Sequence, residues 1–186
     1  MPRTPDMNKR AELLRAIVEH LQEHGVADLS LAPLAQRLGT SKRMLLYYFE
    51  GRGALLSEAL AASRPNVTEI FDDVQDREGL RSAVEALWHA ITKGNQHRSI
   101  RMLLQVLSLA TTQPETYGSF AVTAVHAMTE PIASAFERVG FPPGEAAARA
   151  TLVVSGLRGL CQDLLVTDDR DRVETAAERL LDSATG

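Results

Sequence analysis

Cysteine is nearly missing from this chain of 186 residues, which holds only Cys161. One thiol makes no intramolecular disulfide framework and no cysteine-rich zinc module. Aromatic residues are also scarce at 5%, which argues against a broad ring-stacking cavity. No stretch approaches the ~18 consecutive apolar residues that a membrane span requires. The first residues, Met1-Pro2-Arg3-Thr4-Pro5-Asp6, have no apolar signal-peptide core. A soluble, cytoplasmic protein with no membrane partner is expected. There is no basic surplus either: 20 Lys and Arg stand against 24 Asp and Glu, giving a net charge of −4.

Chemical motifs are missing too. There is no Gly-x-Ser-x-Gly elbow, no phosphate loop, no dinucleotide fingerprint and no His-Glu-x-x-His. His20 and His24 are spaced i, i+4, but no third metal ligand lies near them in sequence. They read as a solvated pair near a helix C-terminus. Asp168, Asp169 and Asp171 lack the full spacing of a calcium loop. Cys161 reads as a small buried hydrophobe rather than a redox sensor. No catalytic residue, metal or cofactor is implied.

What the chain has is helical periodicity and a 45% hydrophobic content, enough for a packed core. Residues 8–24 place Leu13, Leu14, Ile17, Val18 and Leu21 on one face, and Gly25 follows as a stop. After the Asp28-Leu29-Ser30 connection, Ser30 is expected to cap the next helix through its side chain. That helix carries Pro33 in its first turn and ends at Gly39. A third short helix, about 41–48, is capped by Thr40 or Ser41. Longer helices follow at about 53–74, 78–93, 98–111, 115–139, 144–166 and 170–183. Their breaks fall at Asp76 to Gly79, Lys93-Gly94-Asn95, Gln113-Pro114, Gly140 to Gly144 and Thr167 to Arg170, the strongest breaker being Phe141-Pro142-Pro143-Gly144. Pro65 is a candidate kink, and Pro131 is expected to bend or divide its helix. The expected fold is all-α with about nine helices, divided into residues 1–52 and 53–186.

The net charge conceals an asymmetry. Residues 1–63 hold 8 basic and 7 acidic residues, while residues 64–186 hold 12 and 17. A near-neutral head is followed by a body of net charge −5.

Two short helices around Gly39-Thr40-Ser41, braced by the longer helix before them, make a helix-turn-helix. Leu31, Leu34, Ala35, Leu38, Leu45 and Phe49 would form its small core and set the interhelical angle. The second helix could then enter a DNA major groove. Thr40, Ser41, Lys42, Arg43, Met44, Tyr47 and Tyr48 are expected on its outer side. Cations there can pair with guanine acceptors or phosphates, and hydroxyls with phosphates. The N-terminus of the helix after Gly51 could hold a phosphate, with Arg52 adding charge.

This segment resembles the DNA-binding domain of the tetracycline-repressor (TetR/AcrR) family of transcription regulators. The matching residues are Leu34-Ala35-Gln36-Arg37-Leu38-Gly39, Ser41-Lys42-Arg43, Tyr47-Tyr48-Phe49, Arg52 and Leu55-Leu56. The resemblance covers about residues 8–62. It implies a dimeric repressor, released from a palindromic double-stranded DNA operator by a small-molecule effector. Contacts with the operator would come from Lys42, Arg43, Tyr47 and Tyr48, supported by Ser30, Thr40, Ser41 and Arg52. Leu46 stands where the family often has a phosphate-contacting Tyr. Leu31 and Ala32 replace common backbone contacts, and Glu50 replaces a common Lys. A shallow salt dependence is therefore expected. The alternative is a helical small-molecule-binding or interaction protein with a degenerate helix-turn-helix.

For the body, the resemblance implies ligand binding and a homodimer formed by the last two helices. Leu152, Ser155, Gly156, Gly159 and Leu160, with Val173, Ala177, Leu180 and Leu181, are the candidate dimer residues. The 144–166 helix is rich in small residues, which allow close helix approach. Trp88, Met102, Val106, Tyr117, Phe120, His126, Met128 and Cys161, with Leu103, are the candidate ligand-pocket residues.

Overall fold

The structure, a computed structural model, describes residues 6–26, 29–63, 66–93 and 97–186. These form ten α-helical segments with no strand among the described residues. They are α1 (Met7–His24), α2 (Leu31–Arg37), α3 (Lys42–Phe49), α4 (Arg52–Ser63), α5 (Val67–Phe71), α6 (Arg77–Thr92), α7 (His97–Thr112), α8 (Pro114–Arg138), α9 (Pro143–Thr167) and α10 (Arg170–Thr185). The all-α expectation holds. Nine of the segments have seven residues or more; the short one, α5, arises because the expected 53–74 helix is two segments, α4 and α5. Pro65, Asp28, Gly94 and Asn95, which entered the expected breaks, lie outside the described residues.

Local chemistry accounts for the helix ends. The Asp6 carboxylate accepts from the amides of Asn8 (3.0 Å) and Lys9 (3.2 Å), starting α1. Asp76 caps α6 by accepting from Gly79 N–H at 2.7 Å. Pro142 and Pro143 open α9, where a missing amide hydrogen costs little. Ser30 does occupy the N-cap position of α2 with extended backbone, but its side chain makes no capping bond, against expectation. Nor does Pro131 divide α8, which runs from Pro114 to Arg138 with the proline inside. A proline deletes one helical hydrogen bond, while the next turn buries Ile132, Ala135 and Phe136 completely. Burial of that turn holds the helix together.

The chain forms two compact units, one of residues 1–64 with 101–121 and the other of 65–100 with 122–186. This division differs from a boundary at 52/53, because α4 and parts of α7 and α8 complete the first unit's core. There, Leu13, Ile17 and Leu21 of α1 join Leu34 and Ala35 of α2, Leu45 and Phe49 of α3, and Leu55, Leu56 and Ala59 of α4. Met102, Val106 and Tyr117 belong to the same cluster. At ~25 cal/mol per Å² of apolar area removed from water, such burial is the main force fixing α2 against α3.

In the second unit α10 packs on α9 and α6, and α5 and α9 also touch α6. Gly156 permits the α9–α10 approach, since a Cβ there would meet Leu180 Cδ2 at 2.4 Å. Arg138 donates from Nε to the Val74 carbonyl at 3.2 Å, and its Nη2 reaches the Phe71 carbonyl. Two guanidiniums, of Arg77 and Arg149, lie 4.7 Å and 4.2 Å from the Phe141 ring centroid.

Candidate DNA-reading surface

The turn between α2 and α3 is built by backbone chemistry that needs Gly39. Its φ of +62° lies in the left-handed region, where a side chain is strained. The Gly39 amide donates to Gln36 O (3.2 Å) and the Thr40 amide to Ala35 O (2.9 Å). This paired arrangement satisfies the last carbonyls of α2. Ser41 then starts α3 by accepting from Met44 N–H at 3.2 Å. Of the two capping candidates, Ser41 is the one used.

Helical geometry sorts the side chains of α3. Leu45, Tyr48 and Phe49 are spaced i, i+3, i+4 and are all buried. Lys42 and Arg43 are exposed, as are Met44, Leu46 and Tyr47. Among the described residues, neither Lys42 nor Arg43 enters an ion pair. Ser30 and Ser41 are exposed and Thr40 is half-buried.

Two expectations about this surface fail. Tyr48, placed on the outer side from sequence, is only 9% exposed and belongs to the core, whereas Tyr47 is 47% exposed. The stripe with Leu45 and Phe49 turns Tyr48 inward, and that spacing was the signal that would have found it. Arg52 is not an open cation at the start of α4. Its Nη2 donates to the Tyr117 hydroxyl, and its guanidinium carbon lies 5.6 Å from the Tyr117 ring centroid.

Arg10 carries no signal in the sequence pattern, yet it braces α3. It donates from Nε to the Tyr48 carbonyl at 3.3 Å, pairs with Glu58, and lies 5.1 Å from the Phe49 ring centroid. A cation is thereby placed at the carbonyl end of α3, where the helix dipole favours it. Gln105 of α7 is a further side-chain brace: its Oε1 accepts from Val26 N–H at 3.1 Å.

A partly open cleft of about 210 Å³ lies between α1 and α2, lined by His20, His24, Ser30, Pro33 and Arg37 among others. The two imidazoles stack at 4.4 Å. His24 Nδ1 contacts the His20 carbonyl at 3.1 Å, and Nε2 faces Arg37 Nη1 at 2.9 Å. Both His24 nitrogens are thus engaged, one of them by a cation, which opposes metal binding there. Burial, then the nearby His24 and Arg37, hold the His20 pKa below its ordinary value against the opposing pull of Glu23.

The candidate ligand residues are divided between the two units. Met102, Val106 and Tyr117 are buried in the first unit's core, with Phe120 packed against it. Leu103 is also buried. Trp88, Met128 and Cys161 are buried in the second unit, and His126 is exposed beside Glu130. Trp88 Nε1 donates to Glu174 Oε2 at 2.8 Å, a partner that a buried indole needs within the fold. Burial pushes the Cys161 thiol up to about 12, so it is no reactive thiolate near neutrality.

The candidate dimer residues divide as well. Leu152, Ser155 and Gly159 are exposed on α9, with Leu160 half-buried. Gly156 and Leu180 meet each other inside the unit. Val173, Ala177 and Leu181 are at most 3% exposed. The last three are corrected to intrachain packing, because α10 spends its apolar face on α9 and α6.

Residues 13–59 match the model of a family described as bacterial regulatory proteins, tetR family. The helix-turn-helix head belongs to the tetR family. The chain is 26% identical over 116 residues to the HTH-type transcriptional regulator BetI 1 of Chromohalobacter salexigens. That alignment covers 52% of this chain and 57% of the relative, so just over half of the relative's length is matched. A transcriptional regulator from Rhodococcus sp. Rha1 has a similar fold, with a TM-score of 0.73 at 18% identity, covering 94% of this chain and 95% of that one. The multidrug binding protein EbrR complexed with proflavin gives a TM-score of 0.61 at 18% identity, covering 92% and 99%. The tetR-family head is thus joined to a helical body whose fold recurs in these proteins. No helix among the described residues is long and apolar enough to cross a membrane.

Proposed function

We propose that the protein is a dimeric transcription repressor that holds a palindromic operator through α3 and releases it on binding a small molecule. The observation that carries this reading is the pair Lys42 and Arg43. They are exposed, without carboxylate partners among the described residues, and stand on the first turn of a helix fixed by the tetR-family core. Tyr47 extends the same surface one turn later. Ser30, Thr40 and Ser41 are proposed as supporting contacts. Residues 1–52 are assigned the DNA function and 53–186 ligand binding and dimerisation.

The seam proposed for the dimer is the outer side of α9. Ala148, Leu152, Ser155, Gly159 and Val166 are exposed at alternating spacings of three and four, with one seven-residue step, and Val166 is 80% exposed. Small residues along such a seam allow two helices to approach closely. Effector binding is supported by the fold shared with EbrR, whose structure holds proflavin. No single set of lining residues is assigned to an effector.

The test is the double variant Lys42→Ala/Arg43→Ala, assayed on a duplex selected from a random library by the wild-type protein. Specific binding should fall at least a hundredfold, with the helical circular dichroism and sedimentation mass unchanged; each lost base or phosphate contact is worth ~1–3 kcal/mol. Unchanged affinity would refute the assignment. Absence of any salt-dependent duplex binding by the wild type would favour the degenerate reading, for which the exposed Leu46, Ala32 and Glu50 are the specific grounds.

A further inference from the structure

Two side chains from outside the helix-turn-helix grip the first unit at both ends of that motif. Before α2, Gln105 of α7 accepts from the Val26 amide at 3.1 Å. Its carboxamide also fills the space over Gly25, where a Cβ would meet Oε1 at 2.8 Å. After α3, Tyr117 of α8 receives the Arg52 guanidinium on its hydroxyl. Phe120 of the same helix stands 3.1 Å from where a Cβ on Gly53 would lie. Tyr117 itself is fully buried.

We infer that Gln105 and Tyr117 are positioning residues for DNA reading: they fix the entry to α2 and the exit from α3, and through them the seating of the recognition helix. This rests on the proposed DNA-binding function. The physical ground is the kind of contact on each side. The hydrophobic cluster of the head takes in Val26, Leu29 and Leu55 near the motif's ends, but its burial is non-directional and sets no orientation there. A hydrogen bond to one backbone amide and another to one guanidinium are directional. Arg52 also has its Nε buried without a hydrogen-bond partner among the described residues, which makes the Tyr117 hydroxyl the anchor of that side chain. Removing the hydroxyl would leave the half-buried Arg52 side chain without its anchor at the exit from α3.

The experiment compares wild type, Gln105→Leu, Gln105→Glu and Tyr117→Phe in the full chain. The probes are the duplex selected by the wild type and a random-sequence duplex of equal length. Measurements are made well below each variant's unfolding midpoint. Gln105→Leu and Tyr117→Phe should each lower the ratio of specific to random binding about tenfold, the effect of losing one hydrogen bond of ~1 kcal/mol or slightly more. The salt slope should be unchanged, since no phosphate contact is removed. Gln105→Glu keeps an acceptor for Val26 N–H and should stay within about twofold of wild type. A general loss of stability would not produce that rescue.

Amide hydrogen exchange supplies a readout that needs no DNA. Protection of the α3 amides should fall in Gln105→Leu and Tyr117→Phe while that of α9 and α10 is kept. Unchanged specificity ratios and unchanged α3 protection would overturn the inference. If the wild type bound no duplex, α3 protection alone would decide whether these residues position the helix. The DNA-binding reading would then fail separately.

Discussion

Tyr47 and Tyr48 are adjacent in sequence and opposite in environment, and so allow a substitution test in which chemistry is constant and position varies. Tyr47→Ala should lower affinity for the selected duplex while leaving the unfolding midpoint nearly unchanged, as surface substitutions do within about 0.5 kcal/mol. Tyr48→Ala removes a buried ring packed with Leu45 and Phe49 and should cost about 3 kcal/mol of stability. Urea unfolding and duplex titration of both variants check the pair, and equal stability losses would contradict the burial assigned to Tyr48. The same contrast shows what was legible in the site. Lys42, Arg43 and Tyr47 could be found because exposed cations and an aromatic residue follow directly after a Gly-centred turn. Tyr48 reads equally well inward or outward until the i, i+3, i+4 stripe through Leu45 is weighed. Arg52 reads as an open cation for a different reason. Its partner, Tyr117, lies 65 residues away, and nothing in the local pattern announces a contact of that separation.

At the scale of elements, hydrophobic spacing and helix stops revealed nearly every helix, because each has an amphipathic face and an end marked by Gly, Pro or a capping acid. Less legible was which neighbour each face meets. The apolar row of α10 reads as a dimer surface or an intrachain one with equal ease, and only the packing of α10 on α9 and α6 decides it. Two glycines on α9 make this packing measurable. At Gly156 a Cβ would meet Leu180 Cδ2 at 2.4 Å and Cγ at 3.2 Å, while at Gly159 nothing within the chain lies within 4 Å. Alanine gains about 1 kcal/mol over glycine in a helix interior. Gly159→Ala should therefore stabilise the chain by about 0.5–1 kcal/mol. Gly156→Ala should gain nothing or lose about 1 kcal/mol, because forcing Leu180 aside costs about 1–3 kcal/mol. Unfolding at two protein concentrations about a hundredfold apart separates any association effect at the α9 seam. Equal gains at both positions would mean that α10 is not seated against Gly156.

For the whole molecule, a net charge of −4 argues neither for nor against nucleic acid, because the average hides how the cations are committed. In the head, Lys9 pairs with Glu12, Arg10 with Glu58, Arg37 faces His24 and Arg52 is held by Tyr117. On α3 itself, Lys42 and Arg43 remain for DNA, two per protomer and four in the proposed dimer. Each phosphate neutralised contributes about −0.9 to the slope of log K against log salt. The slope for the selected duplex should accordingly be about −3 to −4, shallower if one of the four reads a base instead of a phosphate. Glu50 stands just after α3 with a left-handed φ of +56°, exposed, where its carboxylate would repel a phosphate brought close to that end of the helix. Glu50→Lys should raise random-duplex affinity and steepen the slope, by about one for each protomer that gains a phosphate contact. Titrations of both proteins across a fourfold range of salt measure this directly. A wild-type slope near −8 would mean that cations outside α3 also reach phosphates: the exposed Arg15, or Arg37 and Arg52, whose partners His24 and Tyr117 carry no negative charge. A slope that Glu50→Lys leaves unmoved would place the end of α3 away from the backbone, leaving the turn of Lys42 and Arg43 as the part of the helix that approaches the duplex.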